Sequence, residues 1–125
     1  MALEKTHVLV TGSRTWTDMP TIEKELKKLS PDEHILVHGG ARGVDSIAGY
    51  LWKKMGGEAI VCRVEKEDWE KYGLAAGPRR NKHMLDNYPI KKAMAFNKGN
   101  SKGTLHMIKL LKDAKVPLVA EYYID

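Results

Sequence analysis

Four of the five arginines in this 125-residue chain stand in or beside glycine turns. Arg14 lies in Thr11-Gly12-Ser13-Arg14, directly after an apolar run, and Arg42 lies in Gly39-Gly40-Ala41-Arg42-Gly43, after a second one. Arg79 and Arg80 lie in Gly77-Pro78-Arg79-Arg80-Asn81. A guanidinium is a planar fork that grips phosphate at two points, whereas an ammonium is a point charge. Glycine lets backbone amides come close to an anion. This pattern points to a site for a phosphorylated ligand.

Each segment offers something different. At Gly12-Ser13-Arg14 the amides and the Ser13 hydroxyl would hold phosphate, with Arg14 adding charge; the alternative is an ordinary turn from strand to helix. In His38-Gly39-Gly40-Ala41-Arg42-Gly43-Val44-Asp45, three glycines precede a helix, and free amides there form an anion-binding nest. Asp45 falls in the first helical turn, where it either complements the helix dipole or touches the ligand. His38 reads as structural, because no carboxylate partner is evident. Arg79 and Arg80 open a helix, where each positive charge opposes the dipole by about 0.3–1 kcal/mol. An anion would compensate one of the pair, unless both extend into water. The polar loop Asn97–Thr104 enters the last helix, and Ser101 or Thr104 would both cap that helix and contact phosphate. Trp69, in a predicted loop, is the candidate to stack on a base, or else covers the sheet edge. Trp16 is a second such residue, and Trp52 falls on a helix face and reads as core. Asp68 is placed to meet an arginine or a ribose hydroxyl.

The elements that carry these residues alternate strictly. His7–Val10, His34–Val37, Ala59–Cys62, Lys92–Phe96 and Pro117–Ala120 read as short apolar strands. Between them lie helical stretches from Pro20 to Leu29, with Asp18 as cap, from Val44 to Met55, from Pro78 to about Asn87, and from Thr104 onward. Glu65–Tyr72 is a charged connecting segment. Strands alternating with helices imply one α/β domain over residues 1–125, a Rossmann-like, five-stranded, mostly parallel sheet with helices on both faces. Ligands in such sheets bind beyond the carboxyl ends of the strands, where strand order reverses. An order 3-2-1-4-5 sets the Gly12-Ser13-Arg14 turn beside the Asn97–Thr104 loop.

Composition narrows the function. The net charge of +5 suits an anionic ligand. Most lysines nevertheless fall on polar helix faces rather than in a track, so single-stranded nucleic acid is a weaker expectation than a small phosphorylated molecule. A lone Cys62 and scattered histidines imply no disulfide framework and no metal site. No apolar run reaches membrane-spanning length and no signal peptide is evident, so a cytoplasmic protein is expected, with no membrane partner. Neither GxGxxG nor GxxxxGK[ST] occurs, which argues against a standard dinucleotide dehydrogenase or a P-loop enzyme.

Taken together, Thr11-Gly12-Ser13-Arg14, Gly39–Asp45, Asp68-Trp69, Gly77–Asn81 and Gly103-Thr104 resemble the SLOG superfamily. That group holds Rossmann-like proteins related to DNA-processing protein A and to the lonely-guy phosphoribohydrolases. The resemblance is closest to its YspA/YpsA-related branch. It implies binding of a nucleotide or nucleotide derivative, as a sensor or a nucleotide-processing enzyme, in a homo-oligomer. The phosphoribohydrolase motif places a glutamate three residues after its Gly-Thr. Here Met107 occupies that position, and Asn100 and Ser101 replace the first glycine pair. This departure keeps the phosphate loop and withdraws the acid. The leading expectation is therefore a nucleotide-binding sensor or regulatory module. The alternative is an N-glycosidase acting on nucleoside monophosphates, with Asp68, Asp45 or Glu67 as substitute acid. Single-stranded nucleic-acid binding comes third.

Overall fold

Alternation along the strands decides which helix packs on which face of the sheet. The computed structural model describes residues 4–125; residues 1–3, the start of the expected domain, lie outside the described residues. Strand β1 (Thr6–Gly12) points Val8 and Val10 to one side and Leu9 to the other. Period-two geometry requires that split. The Val8 side joins Leu36, Met94 and Phe96 to α1 (Met19–Leu26) and α2 (Val44–Lys54) through Ile22, Leu26, Ala48 and Trp52. The Leu9 side joins Val37 and Ala93 to α4 (Ala76–Asn87) and α5 (Lys102–Asp113) through Met84, Met107 and Leu111. Burying each such side chain contributes about 1.5–3 kcal/mol, so two cores of this kind hold the layers on the sheet.

The remaining strands are β2 (His34–His38), β3 (Glu58–Val61), β4 (Ile90–Lys98) and β5 (Leu118–Ile124). The order is β3-β2-β1-β4-β5, as the sequence predicts, and every pairing is parallel. In register, Gly12 at the end of β1 pairs with Phe96 of β4, and Leu9 with Val37 of β2. From β1 the chain runs outward through β2 to β3, then crosses back over β1 to β4 and β5 on its other side. The carboxyl ends of β1 and β4 therefore frame the crevice.

Three local readings change. Glu65–Tyr72 is not a plain connection: Lys66–Tyr72 forms helix α3, and Glu65 N–H donates to Asp68 Oδ2 at 3.0 Å as half of a capping box. Helix α4 begins at Ala76 and continues directly from a 3-10 turn at Gly73–Ala75, so Pro78 sits inside its first turn rather than opening it. Helix α1 stops at Leu26, short of Leu29, although Leu29 still enters the core. The Asp18 cap is present, with Oδ1 accepting from Thr21 N–H at 3.2 Å. Trp16 is buried against Phe96, ring centroids 5.5 Å apart, and donates its Nε1–H to the Asp18 carbonyl at 2.9 Å. It is a core residue and has no face to offer a base. Trp52 is also core, donating to the Glu58 carbonyl at 2.8 Å.

Candidate ligand site

Beyond the ends of β1 and β4 lies a cavity of about 410 Å³. Gly12, Ser13 and Arg14 line it from β1, Lys98 and Asn100 from the end of β4, and Ser101, Gly103 and Thr104 from the start of α5. Asp45 from α2 and Arg80 and Asn81 from α4 complete the wall. Residues separated by most of the chain meet here because the sheet reverses order at this point.

The first turn of α5 is open. Its first intrahelical bond runs from Leu105 N–H to the Ser101 carbonyl at 2.9 Å, and no side chain caps the turn. Ser101 Oγ instead pairs with Thr104 Oγ1 at 2.9 Å. Uncapped amides at a helix start carry partial positive charge and receive anions. Arg14, Arg80 and Lys98 add three full charges around the same cavity. Asp45 is the one carboxylate in its lining among the described residues.

The hydroxyl expected to hold phosphate has another task. Ser13 is buried; its Oγ accepts from Lys98 N–H at 2.7 Å and lies 3.3 Å from the Lys98 carbonyl. It pins the β1 turn to the end of β4, which positions the cavity rather than a ligand. Gly43 likewise serves packing. It has φ +77, and a side chain there would collide with the Ser13 and Arg14 carbonyls. Gly43 and the exposed Arg42 line neither this cavity nor the hollow beside it. The turn that carries Arg42 faces its backbone inward and leaves that side chain outside.

Arg80 is the inward member of its pair. Its Nη1 donates to the carbonyls of Gly39 at 2.9 Å and Cys62 at 3.4 Å, and its Nε donates to Asn81 Oδ1 at 3.1 Å. A side chain at Gly39 would occupy the guanidinium's place. Carbonyl oxygens thus offset the charge that the sequence assigned to an anion, and the continuous backbone from Gly73 removes the open helix start. Arg79 is exposed and stacks over the Tyr72 ring, 3.8 Å from its centroid. It lines a separate hollow of about 730 Å³ behind Arg80. That hollow is larger, but Arg63, Arg79, Arg80 and Lys82 share it with Glu65, Asp68 and Asp86, so carboxylates offset most of its positive charge.

A small hollow of about 170 Å³ joins the cavity through their shared walls at Arg14, Ala41, Gly77 and Arg80. Gly39, Gly40 and Trp69 line it. Trp69 lies on α3, 43% exposed, with part of its indole free for contact. Arg63 also lines this hollow and donates from Nη1 to the Gly40 carbonyl at 3.0 Å. The glycine-turn pattern missed Arg63 and Lys98; both follow or end a strand, and the strand-end rule would have found them.

Asp45 has the most unusual electrostatics. Its Oδ2 accepts from the N–H groups of Gly39 at 3.1 Å and Ala41 at 3.3 Å, which holds the glycine turn in shape. Its Oδ1 is buried and has no hydrogen-bond partner among the described residues. Burial raises the pKa to about 6, against the opposing pull of those two amides and of Arg80 and Arg14. His38, at the end of β2, is pushed down to about 4 by burial and by the charges of Arg63 and Arg80. Its Nδ1 accepts from Gly40 N–H at 3.0 Å, consistent with a neutral structural histidine. Asp68 is spent on capping α3, and Glu67 lines none of the three hollows. The Met107 side chain is fully buried in the core beneath α5.

No group of three or more His, Cys, Asp or Glu suited to a metal occurs among the described residues. No helix among them is long and apolar enough to cross a membrane.

Comparison with known proteins agrees with this architecture. The model of the YspA, cpYpsA-related SLOG family matches residues 6–72. The Gene 61 protein of Mycobacterium phage D29 is 36% identical over 118 residues, covering 90% of this chain and 93% of the phage protein. Among solved structures, DNA processing protein A (DprA) from Streptococcus pneumoniae superposes with a TM-score of 0.75 over 93% of this chain, at 19% identity. The chain spans half the length of that protein, and the likeness is one of fold.

Proposed function

Because the chain belongs to the YspA, cpYpsA-related SLOG family, we propose that it binds a nucleotide or nucleotide derivative and acts as a sensor or regulatory module. One observation carries this reading: the 410 Å³ cavity combines an uncapped helix start with Arg14, Arg80 and Lys98 around a lone carboxylate. Such a site favours a compact anion with a neutral, hydroxyl-bearing remainder. Phosphate would sit against the first turn of α5 with Arg14 and Lys98. The adjoining hollow would take a planar base beside Trp69. Arg80 would act from its wall position, its geometry preset by the Gly39 carbonyl.

Thermal denaturation against a panel of nucleotides, nucleoside phosphates and ADP-ribose derivatives tests this. At a hundred times Kd, a ligand that binds only the folded chain stabilises it by about 2.7 kcal/mol, a readily measured rise in Tm. Arg14→Ala should abolish most of that rise. A flat response to the whole panel would refute the reading. Mass spectrometry of small molecules that co-purify would name the ligand.

Hydrolysis of a base–ribose bond is the second reading, and Asp45 is what favours it. A buried carboxylate with a pKa near 6 is suited to proton transfer near neutrality. Release of free base from nucleoside monophosphates, lost in Asp45→Asn, would support it; an inert wild type would remove it.

A further inference from the structure

The buried Asp45 carboxylate uses one oxygen and leaves the other idle. Oδ2 takes two backbone amides of the Gly39–Ala41 turn. Oδ1 is shielded and unpaired among the described residues, and it belongs to a residue that is 5% exposed in the wall of the charged cavity. Leaving a buried charged acceptor unpaired is costly, and proteins retain such groups where a partner arrives. The surrounding groups do not supply one. Arg80 commits its Nη1 and Nε to Gly39, Cys62 and Asn81, and Ser13 commits its hydroxyl to the end of β4.

We infer that Asp45 Oδ1 is the acceptor for a sugar hydroxyl of the ligand, so that the site reads a ribose phosphate rather than phosphate alone. This inference rests on the proposed nucleotide site and specifies its middle. The geometry accounts for the division of labour. The cations and the α5 amides suit a phosphate monoester, which is mostly dianionic near neutrality and acts as an acceptor rather than a donor. Asp45 would repel phosphate and accept a hydroxyl, so it orients a molecule carrying both. The same carboxylate shapes the glycine turn through Oδ2, so a bound hydroxyl at Oδ1 and the turn conformation are held by one rigid group.

The test compares each of the four nucleoside 5′-monophosphates with its 2′,3′-dideoxy counterpart and with inorganic phosphate, by calorimetric titration of wild type and Asp45→Asn. A hydrogen bond to a charged group is worth about a 10- to 100-fold change in affinity. The wild type should therefore bind the ribonucleotide that much more tightly than its dideoxy form. Asp45→Asn should lose most of that ratio, while its affinity for the dideoxy form and for phosphate is no weaker than the wild type's, because the neutral amide no longer repels phosphate. Its amide can still offer an oxygen to the Gly39 and Ala41 N–H groups, and its urea midpoint and circular dichroism establish that it is folded. Equal wild-type affinity for ribo and dideoxy forms, or a ratio unchanged in Asp45→Asn, overturns the inference while leaving the nucleotide site standing. Failure of every nucleotide and of phosphate to bind overturns both.

Discussion

Gly39, Arg80 and Asp45 form one unit around a single turn. Asp45 holds its amides, Arg80 holds its carbonyl, and Gly39 leaves the space that Arg80 fills. Gly39→Ala should expel the guanidinium and cost about 1–3 kcal/mol by urea denaturation. Arg80→Ala should cost a similar amount, since it leaves the Gly39 carbonyl without that donor. Because both changes break one contact, the double variant should be less destabilised than the sum of the two. Strict additivity would show that the two residues act separately. A second expectation concerns pH. Asp45 is raised from 3.8 to about 6, so the folded state holds its proton more tightly and this stabilisation is lost as pH rises through that range. His38 is lowered from 6.5 to about 4, so its contribution is present at neutrality and lost as pH falls through the same interval. The two slopes oppose each other between about pH 4 and 6 in the wild type. In Asp45→Asn only the His38 slope remains. The stability difference, variant minus wild type, should grow by roughly 2 kcal/mol between pH 4 and 6. A difference independent of pH would refute the assignment.

At the scale of elements, two acidic residues serve helix starts: Asp18, which the sequence already marks as a cap, and Asp68, which it offers as a site candidate. Asp18 caps α1 and Asp68 caps α3. Asp18→Ala should lower the urea midpoint by removing the bond to Thr21 N–H, and Asp68→Ala should raise amide exchange within α3. Neither should change ligand affinity directly, although fraying α3 would loosen Trp69. Loss of ligand binding in Asp18→Ala at full folding would contradict this placement. The strands, the helix faces and the capping of α1 were legible in the sequence, because apolar period and cap chemistry are local. Helix α3 was not, because its residues are charged and its helix rests on a capping box rather than on an apolar stripe. The start of α4 was misplaced because Pro78 suits a first helical turn in general, whereas here the preceding 3-10 turn already supplies helical backbone.

For the whole molecule, stability and site share the central strand. Leu9 and Val10 of β1 anchor opposite cores, and β1 ends in the Gly12-Ser13-Arg14 turn. Leu9→Ala should cost about 2–5 kcal/mol and lower Tm by several degrees. A loss well under 1 kcal/mol would show that the second core is loosely packed. The α/β class, the 3-2-1-4-5 order and the segments that meet at the crevice followed from the amino-acid sequence by itself. Apolar period and the alternation of strands with helices set the class, and the doubly wound arrangement is the expectation for such a chain. Only the tertiary structure decided which side chains face that crevice. Arg80 turns inward, Arg79 lies on Tyr72, Arg42 points away, Trp16 is core and Ser13 is a staple. Side-chain direction depends on backbone phase and on neighbours distant in sequence, and a motif specifies a residue's type and position but not the partner it will meet.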